Sequence, residues 1–132
     1  MSDQGIAAAE EAFSAGDLET AETLAKRLLE DSTHCAAAFH LIGAIELRRK
    51  KPKQAIEWME RALANGLETT VVLSNCGEAY RQLGQLEEAY ARFERALKLD
   101  NTNPHPHFNM GLVLSLIHIS EPTRLRRISY AV

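Results

Sequence analysis

TVVLSNCGEAYRQLGQLEEAYARFERALKLDNTN, residues 70–103, decides how this chain folds. Its first half sets Leu73, Cys76, Gly77 and Tyr80 on one stripe, and its second half sets Ala89, Phe93, Ala96 and Leu97 on another. Spacings of three and four residues bring each set to one helix face, the face an amphipathic helix has to bury. Gly84 stands between the two, where a residue tolerant of positive φ closes a tight connection. The stretch therefore predicts two helices packed together, with small Gly77 and Ala89 permitting their close approach.

The unit recurs along the chain. Gly43, Gly77 and Gly111 stand 34 residues apart, as do Ala21, Ala55 and Ala89, and Ala62 and Ala96 form a further pair. Such an interval marks a helix-turn-helix unit stacked on copies of itself. Residues 36–69 give a second copy through Phe39, Ile42-Gly43, Ala55, Met59 and Ala62, with Lys50-Lys51-Pro52 in the turn. Residues 2–35 give a weaker one: Gly16, Leu18, Ala21, Ala25 and Leu28 match the second helix, while GIAAAEEAF matches the first poorly. A terminal unit that departs from the pattern is expected of a cap. A last copy opens with NPHPHFNMGLVL, Met110-Gly111 falling in phase and Pro104 and Pro106 fitting a helix start.

At these positions the chain resembles the tetratricopeptide repeat family. The family pattern of a large residue, Leu-Gly, Tyr, then Ala and an aromatic is matched by Leu73, Cys76-Gly77, Tyr80, Ala89 and Phe93. Asn101 replaces the Pro that ends the pattern, and Glu46 stands where an aromatic is usual. The resemblance covers residues from about 4 to 113. It implies an all-α, right-handed superhelical solenoid of antiparallel helix pairs, about three and a half repeats long. The divisions are an atypical N-terminal capping repeat at 2–35, repeats at 36–69 and 70–103, and the first helix of an incomplete repeat at 104–113.

Beyond Val113 the interval fails. The phase calls for alanine at position 123, but Thr123 stands there and Glu121-Pro122-Thr123 interrupts any helix. LSLIHISEPTR, residues 114–124, resembles the in-frame translation of a transposase-type sequencing adapter. Leu125-Arg126-Arg127 fill the space of its index, and Ile128-Ser129-Tyr130-Ala131-Val132 translate the adapter segment that follows. Residues 114–132 are therefore set aside as a non-native tail, leaving the chain truncated within a repeat. On that reading Met110, Leu112 and Val113 form an exposed apolar patch with a frayed C-terminus.

Composition bounds the function. The 132 residues, 45% hydrophobic and 25% charged, are ordinary for one soluble domain. Residues 1–113 hold 12 of the 15 Lys and Arg and 17 of the 18 Asp and Glu, a net charge of −5, so nucleic acid is not expected as a partner. No stretch approaches a membrane span and the start lacks a secretory signal, which makes the cytoplasm the default. Cys35 and Cys76 are too few for a disulfide framework.

Catalysis and cofactors find no support. His105 and His107 lack a neighbouring Cys, Asp or Glu to complete a metal shell, and Cys76 reads as a small core residue rather than a nucleophile. The basic run at 48–53 falls at a helix end, where cations complement the dipole, and reads as a solvated turn. Asn75 and Asn109 are more informative, again 34 residues apart and each just before the buried residue that precedes a repeat glycine. In the family the first helices line a concave groove, and recurring asparagines there resemble the ladder that grips peptide backbone in O-linked N-acetylglucosamine transferases. A carboxamide both donates and accepts, so it satisfies N–H and C=O of an extended peptide together. The other reading is that the two asparagines only cap or solvate helices.

Ser74, Glu78, Arg81, His40 and Phe108 are expected to face the same groove, and Leu41 takes the ladder place in the earlier copy. A carboxylate-clamp chaperone tail is not expected, because Val71 and His105 occupy the entrance positions that need Lys or Arg. The resemblance thus implies a module that binds protein or extended peptide through its concave face. The alternative is a substrate-presenting N-terminal region of a glycosyltransferase, sulfotransferase or methyltransferase.

Overall fold

The computed structural model describes residues 2–30 and 35–120. Among them are seven helices: α1 (Ser2–Ser14), α2 (Leu18–Leu28), α3 (Cys35–Arg48), α4 (Pro52–Ala64), α5 (Thr70–Gln82), α6 (Leu86–Leu99) and α7 (Pro104–Ser120). Each packs on the next in chain order, and α1 also touches α3, α3 touches α5 and α5 touches α7. The first helices of successive pairs therefore lie side by side, forming one layer of an all-α solenoid.

Local chemistry places the helix ends. Asp17 and Thr69 cap α2 and α5 by accepting from the backbone N–H of Thr20 and Val72, each at 3.2 Å. Pro52 opens α4, where its missing N–H costs nothing. The tight turn inside each pair needs one residue with positive φ. Gly16 (+86°) and Gly84 (+79°) supply it, and Lys50 (+63°) holds the same repeat position in the middle pair. A side chain is tolerated there because the turn is dictated by the helices it joins, at a cost of roughly 1–2 kcal/mol.

The core is segmented along the stack. Ala21, Ala25 and Ile42 belong to one buried cluster, Ala55, Met59 and Cys76 to a second, and Ala89, Phe93 and Val113 to a third. Small residues set the helix spacing. A Cβ built on Gly43 would lie 2.6 Å from Met59 Cγ, and one on Gly77 would lie 2.7–2.9 Å from the Phe93 ring. At Gly111, the third glycine of the series, it would meet nothing within 4 Å.

Two expectations need correcting. Val113 is fully buried rather than exposed, and Met110 and Ile117 pack beside it, because the stripe at 106, 110, 113 and 117 faces α6. The helix also does not fray at Val113 but continues to Ser120. The exposed apolar side chains of α7 are instead Phe108 and Leu114. The Glu121-Pro122-Thr123 interruption and the rest of the adapter-like stretch from 121 onward lie outside the described residues.

Candidate functional site

The layer of first helices encloses a hollow of about 400 Å³ between α1, α3 and α5. Three consecutive turns of α1 supply Ile6, Glu10 and Phe13, α3 supplies His40, Leu41 and Ala44, and the start of α5 supplies Val71, Val72 and Asn75. The spacing of 6, 10 and 13 is that of one helical stripe, so one face of α1 forms a whole wall. A smaller hollow of about 200 Å³ adjoins it, bounded by Phe13, Ala44, Leu47, Arg48 and Asn75.

Asn75 is common to both hollows, and its Nδ2 lies 3.3 Å from Nε2 of His40. Burial pushes the His40 pKa down to about 4, so the ring is uncharged at neutral pH. In the tautomer protonated on Nδ1, Nε2 accepts one N–H of the Asn75 amide. The second N–H and Oδ1 of Asn75 then remain for a ligand, a donor and an acceptor held at the junction of two hollows.

The other expected groove residues are placed differently. Glu78 and Arg81 pair with each other on α5, Arg81 Nε donating to Glu78 Oε1 at 2.8 Å, which neutralises both locally. The Ser74 hydroxyl is enclosed and has no hydrogen-bond partner among the described residues. Asn109 and Phe108 lie on α7 outside the hollow, Asn109 partly buried and Phe108 74% exposed. His107 Nε2 lies 2.8 Å from the Asn101 carbonyl and so tethers the preceding loop.

Three wall residues escaped the sequence reading. Glu10 and Phe13 sit on the helix that matches the repeat least well, and Arg48 belongs to the run read as a solvated turn. Arg48 instead lies 4.2 Å above the centre of the Phe13 ring and donates to the Phe13 carbonyl at 3.4 Å. Its neighbour Arg49 bonds Glu22 at 2.9 Å and buried Glu46 at 3.3 Å, so Glu46 replaces an aromatic with a charge that is fully met.

A polar hub lies away from the hollow, between α4, α5 and α6. Glu60 Oε1 accepts from Arg92 at 2.9 and 3.2 Å, from Cys76 Sγ at 3.2 Å and from Tyr80 at 3.3 Å. Burial works to raise the Glu60 carboxyl, but the hydrogen bonds from Arg92, Cys76 and Tyr80 outweigh it and hold the group below its usual value. Burial, with the hydrogen bond to Glu60 and its charge, pushes the Cys76 thiol up to about 12. A thiol so protonated ties helices together and is a poor nucleophile.

Comparison with known proteins agrees with this architecture. The model of a tetratricopeptide repeat matches residues 6–66, and a second model, a TPR repeat, matches 77–116. The chain belongs to the tetratricopeptide repeat family. Tetratricopeptide repeat protein 21A of Mus musculus is 32% identical over 114 residues, 85% of this chain and 9% of that protein. Protein O-mannosyl-transferase TMTC1 of Mus musculus is 25% identical over 100 residues, 73% of this chain and 11% of that protein. The chain thus spans about a tenth of the curated relatives it matches. Among solved structures, the first TPR domain of human RPAP3 aligns with a TM-score of 0.84 at 20% identity, over 92% of this chain and 96% of that one. The first TPR of Spaghetti (RPAP3) bound to HSP90 peptide SRMEEVD aligns with a TM-score of 0.81 at 20% identity, covering 88% and 92%. Among the described residues of this tetratricopeptide repeat chain, no helix is long and apolar enough to cross a membrane.

Proposed function

We propose that this tetratricopeptide repeat chain binds a segment of another protein, in extended conformation, along the groove between α1, α3 and α5. The observation that carries the reading is Asn75, whose carboxamide stands at the junction of two hollows, the larger of them mainly apolar, with one N–H and its oxygen uncommitted. Apolar walls supply binding energy by excluding water, and the amide fixes the strand by meeting peptide N–H and C=O. The bound peptide in the RPAP3 structure supports this use of the fold.

The chain is a binding module without catalysis of its own. The buried thiol among the described residues, Cys76, is held protonated at the hub and takes no part in lining the hollow. It takes no carboxylate-clamp tail. Val71 and His105 occupy the sequence positions where a clamp needs Lys or Arg, and among the described residues no Lys or Arg lines the larger hollow, so a peptide carboxylate would be desolvated with little compensation.

The test is a titration of extended, end-blocked peptides against the wild type, Asn75→Ala, Asn109→Ala and the double variant. Loss of each engaged amide contact weakens binding by about 1 kcal/mol, roughly fivefold in Kd. The larger loss is expected at Asn75, which faces the hollow. Affinities unchanged in all three variants would end the reading.

A further inference from the structure

The groove reading leaves the ligand's chemistry open, and the lining of the larger hollow narrows it. Among the described residues fourteen line it, nine of them Ala, Val, Leu, Ile or Phe, and of those fourteen Glu10 is the one that carries a charge at neutral pH. Glu10 is solvent-exposed at the rim, one turn from Ile6 and one turn from Phe13 on the same wall. It has no ion-pair partner among the described residues, unlike Glu22, Glu46, Glu60, Glu68 and Glu78, each of which meets an arginine. Arg48 lines the adjoining smaller hollow and is already held on the Phe13 ring and carbonyl.

We infer that the hollow takes an extended peptide segment in which a bulky apolar side chain is followed or preceded by Lys or Arg, the apolar group filling the space between α1, α3 and α5 and the cation meeting Glu10. This rests on the peptide-binding reading above and names its ligand class. The apolar side chain displaces water from walls that offer it few polar partners. The cation meets a carboxylate with no competing Lys or Arg among the described residues of the same lining, whereas an acidic residue there is repelled by Glu10. Selectivity follows from that repulsion as much as from the attraction. The hollow therefore discriminates against an acidic segment of the kind seen bound to the RPAP3 domain.

The experiment uses three acetylated and amidated hexapeptides, identical except that Lys, Gln or Glu stands next to a central Phe, with glycine at the other positions. Each is titrated into the full chain and followed by amide chemical shifts, which read millimolar affinities, at 20 mM and again at 500 mM NaCl. The expected order at low salt is Lys tighter than Gln tighter than Glu, with about two- to fivefold between neighbours, the range of an exposed charge pair. The spread closes at high salt, where such pairs are screened. Glu10→Gln brings the Lys and Glu peptides to the affinity of the Gln peptide while leaving the latter unchanged, and Glu10→Lys reverses the order. Three equal affinities in the wild type at low salt, or an order that survives Glu10→Gln, overturns the cationic preference and leaves peptide binding standing. If none of the peptides shifts the amides of α1, α3 and α5, both readings fall together.

Discussion

Phe93→Ala lowers the unfolding free energy by about 3–5 kcal/mol, the range for emptying a fully enclosed aromatic site. Phe93 is completely buried at the centre of the third cluster, with Ala89 and Val113 around it and its ring edge against the backbone of Gly77. That contact yields a second, sharper expectation. Gly77→Ala places a methyl group 2.7–2.9 Å from the fully buried ring, so the ring or a helix has to shift. Such overpacking costs about 1–3 kcal/mol. Gly111→Ala stands at the same repeat position in α7 but meets open space, so it recovers helix propensity and gains up to about 1 kcal/mol. The opposite signs of one substitution at equivalent positions are read by urea denaturation followed by far-ultraviolet circular dichroism. Combining Gly77→Ala with Phe93→Leu should cost less than the two single changes added, since the smaller side chain relieves the clash. An additive pair, or equal effects at Gly77 and Gly111, would mean that the glycine does not set the α5–α6 spacing.

The second large effect is on pH dependence. His40 is neutral in the folded chain down to about pH 4, whereas in the unfolded chain it takes up a proton near 6.5. A folded-state value below the unfolded one means that the unfolded state binds the proton first as pH falls. The stability held above pH 6.5 is therefore lost between about 6.5 and 4, and levels off below. A gap of this size corresponds to at most about 3 kcal/mol. The Asp17 and Asp100 carboxyls are held below 3.8 by hydrogen bonds from Thr20 and Thr102, so their titration falls below this window, and the Glu60 carboxyl, held below its usual 4.5, adds only at the acid end of it. Measuring the urea midpoint from pH 7.5 to 4 should show a decline in the wild type that is largely absent in His40→Gln. A His40→Gln variant with the same slope would place the pH sensitivity elsewhere.

How much of this was legible in the sequence depends on which contacts a period encodes. The 34-residue interval through Gly43, Gly77 and Gly111 marks the repeat position where two helices approach, and at Gly43 and Gly77 the structure leaves no room for a Cβ against Met59 and Phe93, whereas Gly111 faces open space. The interval also finds the turn position shared by Gly16, Lys50 and Gly84, although not that a lysine there adopts positive φ. It is silent about contacts between elements a repeat apart. Arg48 on Phe13 spans 35 residues and Arg92 on Glu60 spans 32, and both join neighbouring helix pairs rather than residues of one local pattern. Val113 was misjudged for a related reason. A helix that lacks its pair still has a preceding neighbour, and α6 covers that stripe. Glu10 and Phe13 carried a faint signal, the 6, 10, 13 spacing, hidden in the α1 stretch that fits the repeat least.

The central claim is that the face made by the first helices is the binding face. Its most direct test is a map of backbone and side-chain amide shifts on titrating the Lys-Phe hexapeptide into the full chain. Binding in the hollow predicts that the largest changes fall on Phe13, Leu41, Ala44 and Val71 and on the side-chain amide of Asn75, with α2, α4 and α6 unmoved. Changes concentrated on α4 and α6, or on the exposed side of α7 around Leu114, would contradict it.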